Sequence, residues 1–133
     1  SAWLAIVNNT HTHHEKSREY FLQLLEKNAK LISNNIIIDQ TLEQLKADRN
    51  NEFARNFLNI IDESVLSINL RVDWISRRVR RYGLNQFLKS SDKELSLHHF
   101  YIHETIKRKR VDIIFSFDES LLKFGLPLMP QTI

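Results

Sequence analysis

Along this chain, short apolar runs alternate with long segments of helical period, and only two glycines and two prolines interrupt them. So few breakers leave room for long regular elements joined by few tight turns. The opening "SAWLAIV" spaces Trp3, Leu4, Ile6 and Val7 as a helix behind Ser1 as its cap. After the polar "NNTHTHH", the segment "HEKSREYFLQLLEKNA" sets Tyr20, Phe21, Leu24 and Leu25 on one helical face. "KLIS" is short and apolar, a strand. "NNIIIDQTLEQLKAD" then gathers Ile37, Ile38, Thr41, Leu42 and Leu45 on one side of a helix, and "NNEFARNFLNIIDES" does the same with Phe53, Phe57, Leu58 and Ile61.

"VLSINLR" alternates Val65, Ser67 and Asn69 with Leu66, Ile68 and Leu70, a period of two that predicts a strand. "VDWISRRVRRYG" predicts a helix with Trp74, Ile75, Val79 and Tyr82 inward, arginines outward and Gly83 at its end. A helix capped at Ser96 carries His98, His99 and His103 and closes on "KRKR", Lys107 to Arg110. A strand from Val111 to Phe117 follows, and "ESLLKFG" makes a short final helix. Each strand gives way to a helix, which predicts one α/β layered domain over residues 1–133 with a mainly parallel sheet. Three strands are few for so many helices, so the pattern predicts a further strand upstream of Ser1.

Apolar residues make up 42% of the chain, enough for a core at this length and too many for a disordered chain. No apolar run approaches the roughly 20 residues that span a bilayer, and no signal-peptide pattern opens the chain. Cysteine is absent, which excludes disulfides and thiolate metal sites and fits a cytoplasmic protein. The net charge of +3 is mild, but the cations cluster in "RRVRR" and "KRKR". Two readings stay open for each cluster. Arg77, Arg78, Arg80, Arg81, Lys107, Arg108, Lys109 and Arg110 form a phosphate-facing side, or they lie on solvated helix faces and C-terminal turns that oppose the helix dipole.

In parallel sheets, ligands meet the loops at the carboxyl ends of strands, and Asp118 stands at one such end. Its plainer role is the N-cap of the final helix in "FDESLL". His99 and His103, four apart, lie one above the other as paired ligands would, or are surface histidines in a chain that has six. His11, His13 and His14 read as polar loop residues, with His14 helping to start the next helix.

The run "ELSLHHFYIHETIKRKRVDIIFSFDES" resembles the C-terminal half of PIN domains, the Mg²⁺-dependent ribonuclease fold of VapC-type toxins. "LSLHHF" stands for the family's "LSFTDA" helix start, "VD" for its "ID" and "FSFD" for its strand closing on "TFD". Upstream, "SAWLAIVNNTHTHHEKSREYF" is similar to the family's opening, and "IIIDQTLEQL" to its "VxxEtlxLL" segment. The resemblance implies a three-layer α/β/α domain in which acids from different elements converge to hold Mg²⁺ or Mn²⁺, which neutralises phosphodiester charge and activates water. Its first Asp would precede Ser1. The second acid position, usually Glu, is Gln40, with Asp39 beside it; the third, usually Asp, is His99; the fourth is matched by Asp118. The resemblance therefore implies a site of Asp118, Gln40 and His99, with Asp118, His99 and Asp39 as the metal-ligand candidates and Glu119 as a further oxygen donor. Its expected partners are RNA, an antitoxin-like protein and a second copy of the chain. Loss of two acids predicts a catalytically degenerate relative that binds RNA or a protein. The alternative is an active metal-dependent endoribonuclease with an altered ligand set.

Overall fold

The computed structural model describes residues 2–131. Six helices are present: α1 (Ala2–Val7), α2 (His14–Glu26), α3 (Asn35–Asp48), α4 (Asn51–Leu66), α5 (Arg77–Lys89) and α6 (Leu97–Lys109). Between them lie strands β1 (Leu31–Asn34), β2 (Leu70–Asp73), β3 (Ile114–Phe115) and β4 (Leu128–Met129), and a 3-10 helix spans Glu119–Phe124. The strands form two parallel pairs, β1 with β2 and β3 with β4, so the expected parallel α/β architecture is present. Among the described residues no helix is long and apolar enough to cross a membrane.

Helices cover both faces of the β1–β2 pair. On one face Ile38, Leu45, Phe57, Ile61 and Leu70 form a closed core, against which α1 lays Trp3, Leu4 and Val7. Trp3 meets Phe21 and Phe57 edge-on at 5.8 and 5.6 Å, the arrangement that aligns ring edges with ring faces. On the other face α5 and α6 pack against each other around Ile75, Val79 and Tyr101. Cap chemistry sets where the helices begin: the side chains of Asn34, Asn50, Ser76 and Ser96 each accept a backbone N–H of the first turn.

Several sequence expectations give way here. The strand expected over 65–71 is the end of α4 and a turn, and β2 occupies only Leu70–Asp73. Ile68 takes a left-handed backbone (φ 63°) to close the α4 end, while Ile68 and Leu66 stand in solvent. The alternation therefore came from an exposed helix terminus rather than from a pleated face. Trp74 and Tyr82, expected inward, are 68% and 47% exposed, whereas Ile75 and Val79 are buried as expected. Gly83 does not end its helix; α5 runs on to Lys89. A Cβ at Gly83 would lie 2.7 Å from the Tyr101 ring, so glycine is what lets α5 and α6 approach. The strand expected over Val111–Phe117 is only two residues long, and β4 was not foreseen. The proposed cap at Ser1 falls outside the described residues.

β1 and β3 are not hydrogen-bonded to each other. Between them runs a cleft of about 880 Å³, walled by Leu31–Asn34 on one side and Ile113–Ser116 on the other, with α1 and α6 residues behind.

Candidate nucleic-acid interface and strand-end site

Asp118 lies beyond the end of β3 (Ile114–Phe115) and, as expected, caps the 3-10 helix: its Oδ1 accepts the Ser120 backbone N–H at 3.1 Å. Its other oxygen, Oδ2, lies 2.6 Å from His99 Nε2. His99 is the third residue of α6, and its Nδ1 accepts the Ser96 backbone N–H at 2.9 Å, completing a reciprocal capping box. Because Nδ1 accepts a backbone proton, neutral His99 carries its own proton on Nε2 and donates it to Asp118. Both ring nitrogens are thereby engaged. Partial burial alone would push the Asp118 carboxyl up, but the hydrogen bonds from His99 and Ser120 outweigh it and hold the group below the usual carboxylate range.

Gln40, His99 and Asp118 line the same cleft. Asp39 does not line it and is exposed. Adjacent helical residues point about 100° apart, so the register that admits Gln40 turns Asp39 away. Glu119 is likewise exposed and outside the cleft. His103 does not join His99: its ring stacks flat on Phe124, centroids 4.3 Å apart, and burial followed by the Lys107 charge lowers its pKa. Among the described residues no group of three or more His, Asp and Glu gathers as a metal-holding cluster.

The loop histidines are more engaged than the sequence suggested. His14 Nδ1 meets the Ala5 carbonyl at 2.8 Å, tying α2 back to α1. His13 stacks on Phe117 at 4.3 Å, immediately beside Asp118. Nothing in local spacing signals that contact, since it joins residues far apart in the chain.

The two basic clusters differ in placement. In α6, Lys107, Arg108 and Lys109 occupy the last turn, where cations complement the helix dipole. Lys107 pairs with the buried Glu104 at 2.9 Å. Arg108 grips the buried Asp73 with both terminal nitrogens, and Thr105 Oγ1 donates to Asp73 at 2.8 Å. Arg108, a candidate phosphate contact on sequence, is thus the counterion of a core carboxylate. In α5 the arrangement is reversed. Arg77, Arg78, Arg80 and Arg81 crowd the first turns, with no acid in the first turn, and all four are exposed. None makes an ion pair among the described residues. A cation at that helix end is opposed by the helix dipole. The dipole reading therefore explains the α6 cluster and fails for α5.

No protein-family model matches the chain, and no curated protein matches it by sequence. Among solved structures, the crystal structure of Mycobacterium tuberculosis VapC20, described as a sarcin–ricin loop cleaving toxin, superposes with a TM-score of 0.79 at 16% identity. The match covers 95% of this chain and 92% of that one. At that identity the likeness speaks to architecture, and with the parallel strands, flanking helices and strand-end Asp118 it gives one conclusion: the chain has the PIN-type fold of the VapC toxins.

Proposed function

We propose that this chain is a PIN-like domain of metal-dependent ribonuclease ancestry whose cation centre has degenerated, and that it acts by binding RNA. The His99–Asp118 pair carries this reading. Where a divalent ion would need several free carboxylates, the cleft offers Asp118, already holding an imidazole N–H, the exposed Asp112 and the neutral amide of Gln40. Mg²⁺ and Mn²⁺ favour several hard oxygen ligands, and this donor set does not fit them. The exposed arginines of α5, none in an ion pair among the described residues, support the RNA part, because cations without a carboxylate partner are available to phosphates.

Asp112 also lines the cleft, and this second carboxylate is the main support for the alternative, an active nuclease with altered ligands. An antitoxin-like partner that plugs an acidic pocket with arginine would meet Asp112 and the already bonded Asp118.

Fluorescence anisotropy of a labelled single-stranded RNA at graded salt tests the binding claim. The expected affinity falls by about 0.7 log units per tenfold salt for each phosphate contact. Salt-independent association would favour a protein partner instead. Calorimetry with Mg²⁺, Mn²⁺ and Zn²⁺ is expected to show no binding heat; heat abolished by Asp118→Ala would favour the active nuclease.

A further inference from the structure

We infer that Trp74, Arg77, Arg78, Arg81 and Tyr82 form a stacking platform for single-stranded RNA, a proposal that rests on the RNA reading above and names its contact surface. Trp74 is 68% exposed and Tyr82 47% exposed, although large aromatics ordinarily gain most by burial. Tyr82 lies on α5 and Trp74 in the connection just before it, while Ile75 and Val79 of the same segments enter the core.

Three arginines share a face of α5 with Tyr82, and Trp74 precedes the first of them by three residues. Arg77 and Arg81 are four apart, as are Arg78 and Tyr82, so two adjacent helical rows carry three guanidiniums and a phenol. Arg77, Arg78, Arg81 and Tyr82 line one shallow depression, and Tyr82 sits beside the Arg78 guanidinium. Helix α5 contains no acidic residue, so no internal carboxylate competes for these cations along it. Cations that track a backbone, interleaved with aromatic faces, are what a strand of unpaired bases requires. A duplex keeps its base faces stacked on each other and cannot use the rings.

Position strengthens the assignment. Trp74 directly follows Asp73, whose register partner in β1 is Asn34. Asn34 lines the same cleft as Gln40, His99 and Asp118. The platform therefore begins at the strand ends where the ancestral chemistry sat.

The chain contains two tryptophans, and Trp3 is packed between Phe21 and Phe57, which leaves Trp74 as the reporter of ligand stacking. Titration with oligouridylate and with an RNA duplex of equal length, read by tryptophan fluorescence and by anisotropy, tests the platform. Single-stranded RNA is expected to quench Trp74, and Trp74→Ala to weaken binding about tenfold or more, while Trp74→Phe retains most of it. Arg77→Gln/Arg81→Gln should lower affinity and flatten the salt slope by about 0.7 per lost contact. Unchanged circular dichroism checks that these surface variants fold. Single-stranded binding without quenching, with Trp74→Ala unaffected, overturns the platform and leaves the RNA reading standing. Equal duplex and single-strand affinity, with Trp74→Ala unaffected, does the same. No binding to either RNA at low salt removes both.

Discussion

Replacing His99 with alanine isolates what holds Asp118 in place. Three interactions disappear: the 2.6 Å hydrogen bond from Nε2 to Asp118, the Nδ1 acceptor of the Ser96 N–H at 2.9 Å, and the 3.2 Å contact of Nδ1 with the Ser96 hydroxyl. The Ser96 hydroxyl can still cap the backbone N–H of residue 99, so only half of the capping box is lost. That half contributes about 0.5 kcal/mol. The bond to Asp118 is charge-assisted, but the acid's side chain is 40% exposed, which lowers the net worth to about 1 kcal/mol. The sum of about 1.5 kcal/mol corresponds to a fall in Tm of roughly 5 °C for a chain of this size. The sign with pH follows from Asp118. Its folded-state pKa lies below the ordinary value, so its stabilising contribution is present above the unfolded pKa near ~3.9 and is lost as pH falls through the folded one. Urea denaturation of both proteins at pH 7 and pH 3 should show the gap narrowing in acid. Carboxyl titration by NMR should find the Asp118 pKa higher in His99→Ala, because burial then acts with less opposition. An unchanged Asp118 pKa, or a stability gap that widens in acid, would refute the pairing.

Arg108→Met strands the buried Asp73 carboxylate with Thr105 as its remaining side-chain donor, and should cost about 2–4 kcal/mol in denaturation while leaving RNA affinity nearly unchanged. A larger loss of RNA binding than of stability would return Arg108 to the phosphate contacts. Gly83→Ala should destabilise by about 1–2 kcal/mol despite alanine's better helix propensity, because its Cβ would meet the buried Tyr101 ring at 2.7 Å. A stabilised variant would mean that α5 and α6 are less closely apposed. His103→Phe keeps a ring on Phe124 and removes a base whose folded-state pKa is lowered by burial. The parent should lose stability as pH drops below the unfolded histidine value near ~6.5, since the unfolded state binds that proton more readily. The variant should show a shallower slope over that interval in pH-dependent melting.

Much of this was legible in residue chemistry. Ser96 and Asp118 read as caps because their side chains satisfy first-turn N–H groups, a local requirement that survives any tertiary context. Gln40, His99 and Asp118 do share a cleft, although they come from three segments of chain. What failed depended on direction or on distant partners. Val65–Arg71 alternates in hydrophobicity, yet Leu66 and Ile68 are exposed at a helix end, and period alone does not reveal which face has a neighbour. Trp74 looked like core for the same reason. Gly83 resembled a helix stop until Tyr101, on another helix, supplied the reason for a missing Cβ. Arg108 and Lys107 differ from the α5 arginines only through Asp73 and Glu104, and the pairing with Asp73 spans 35 positions. The contact of His13 with Phe117 likewise belongs to the fold and to no local pattern.

The central claim, that the strand-end cleft no longer supports phosphodiester hydrolysis, is tested most directly by incubating the unmodified protein with RNA in Mg²⁺ and in Mn²⁺. Asp118→Ala and Gln40→Glu/His99→Asp are run beside it. The unmodified protein is expected to cleave no more than Asp118→Ala does. Robust cleavage by the unmodified protein, lost in Asp118→Ala, would contradict it.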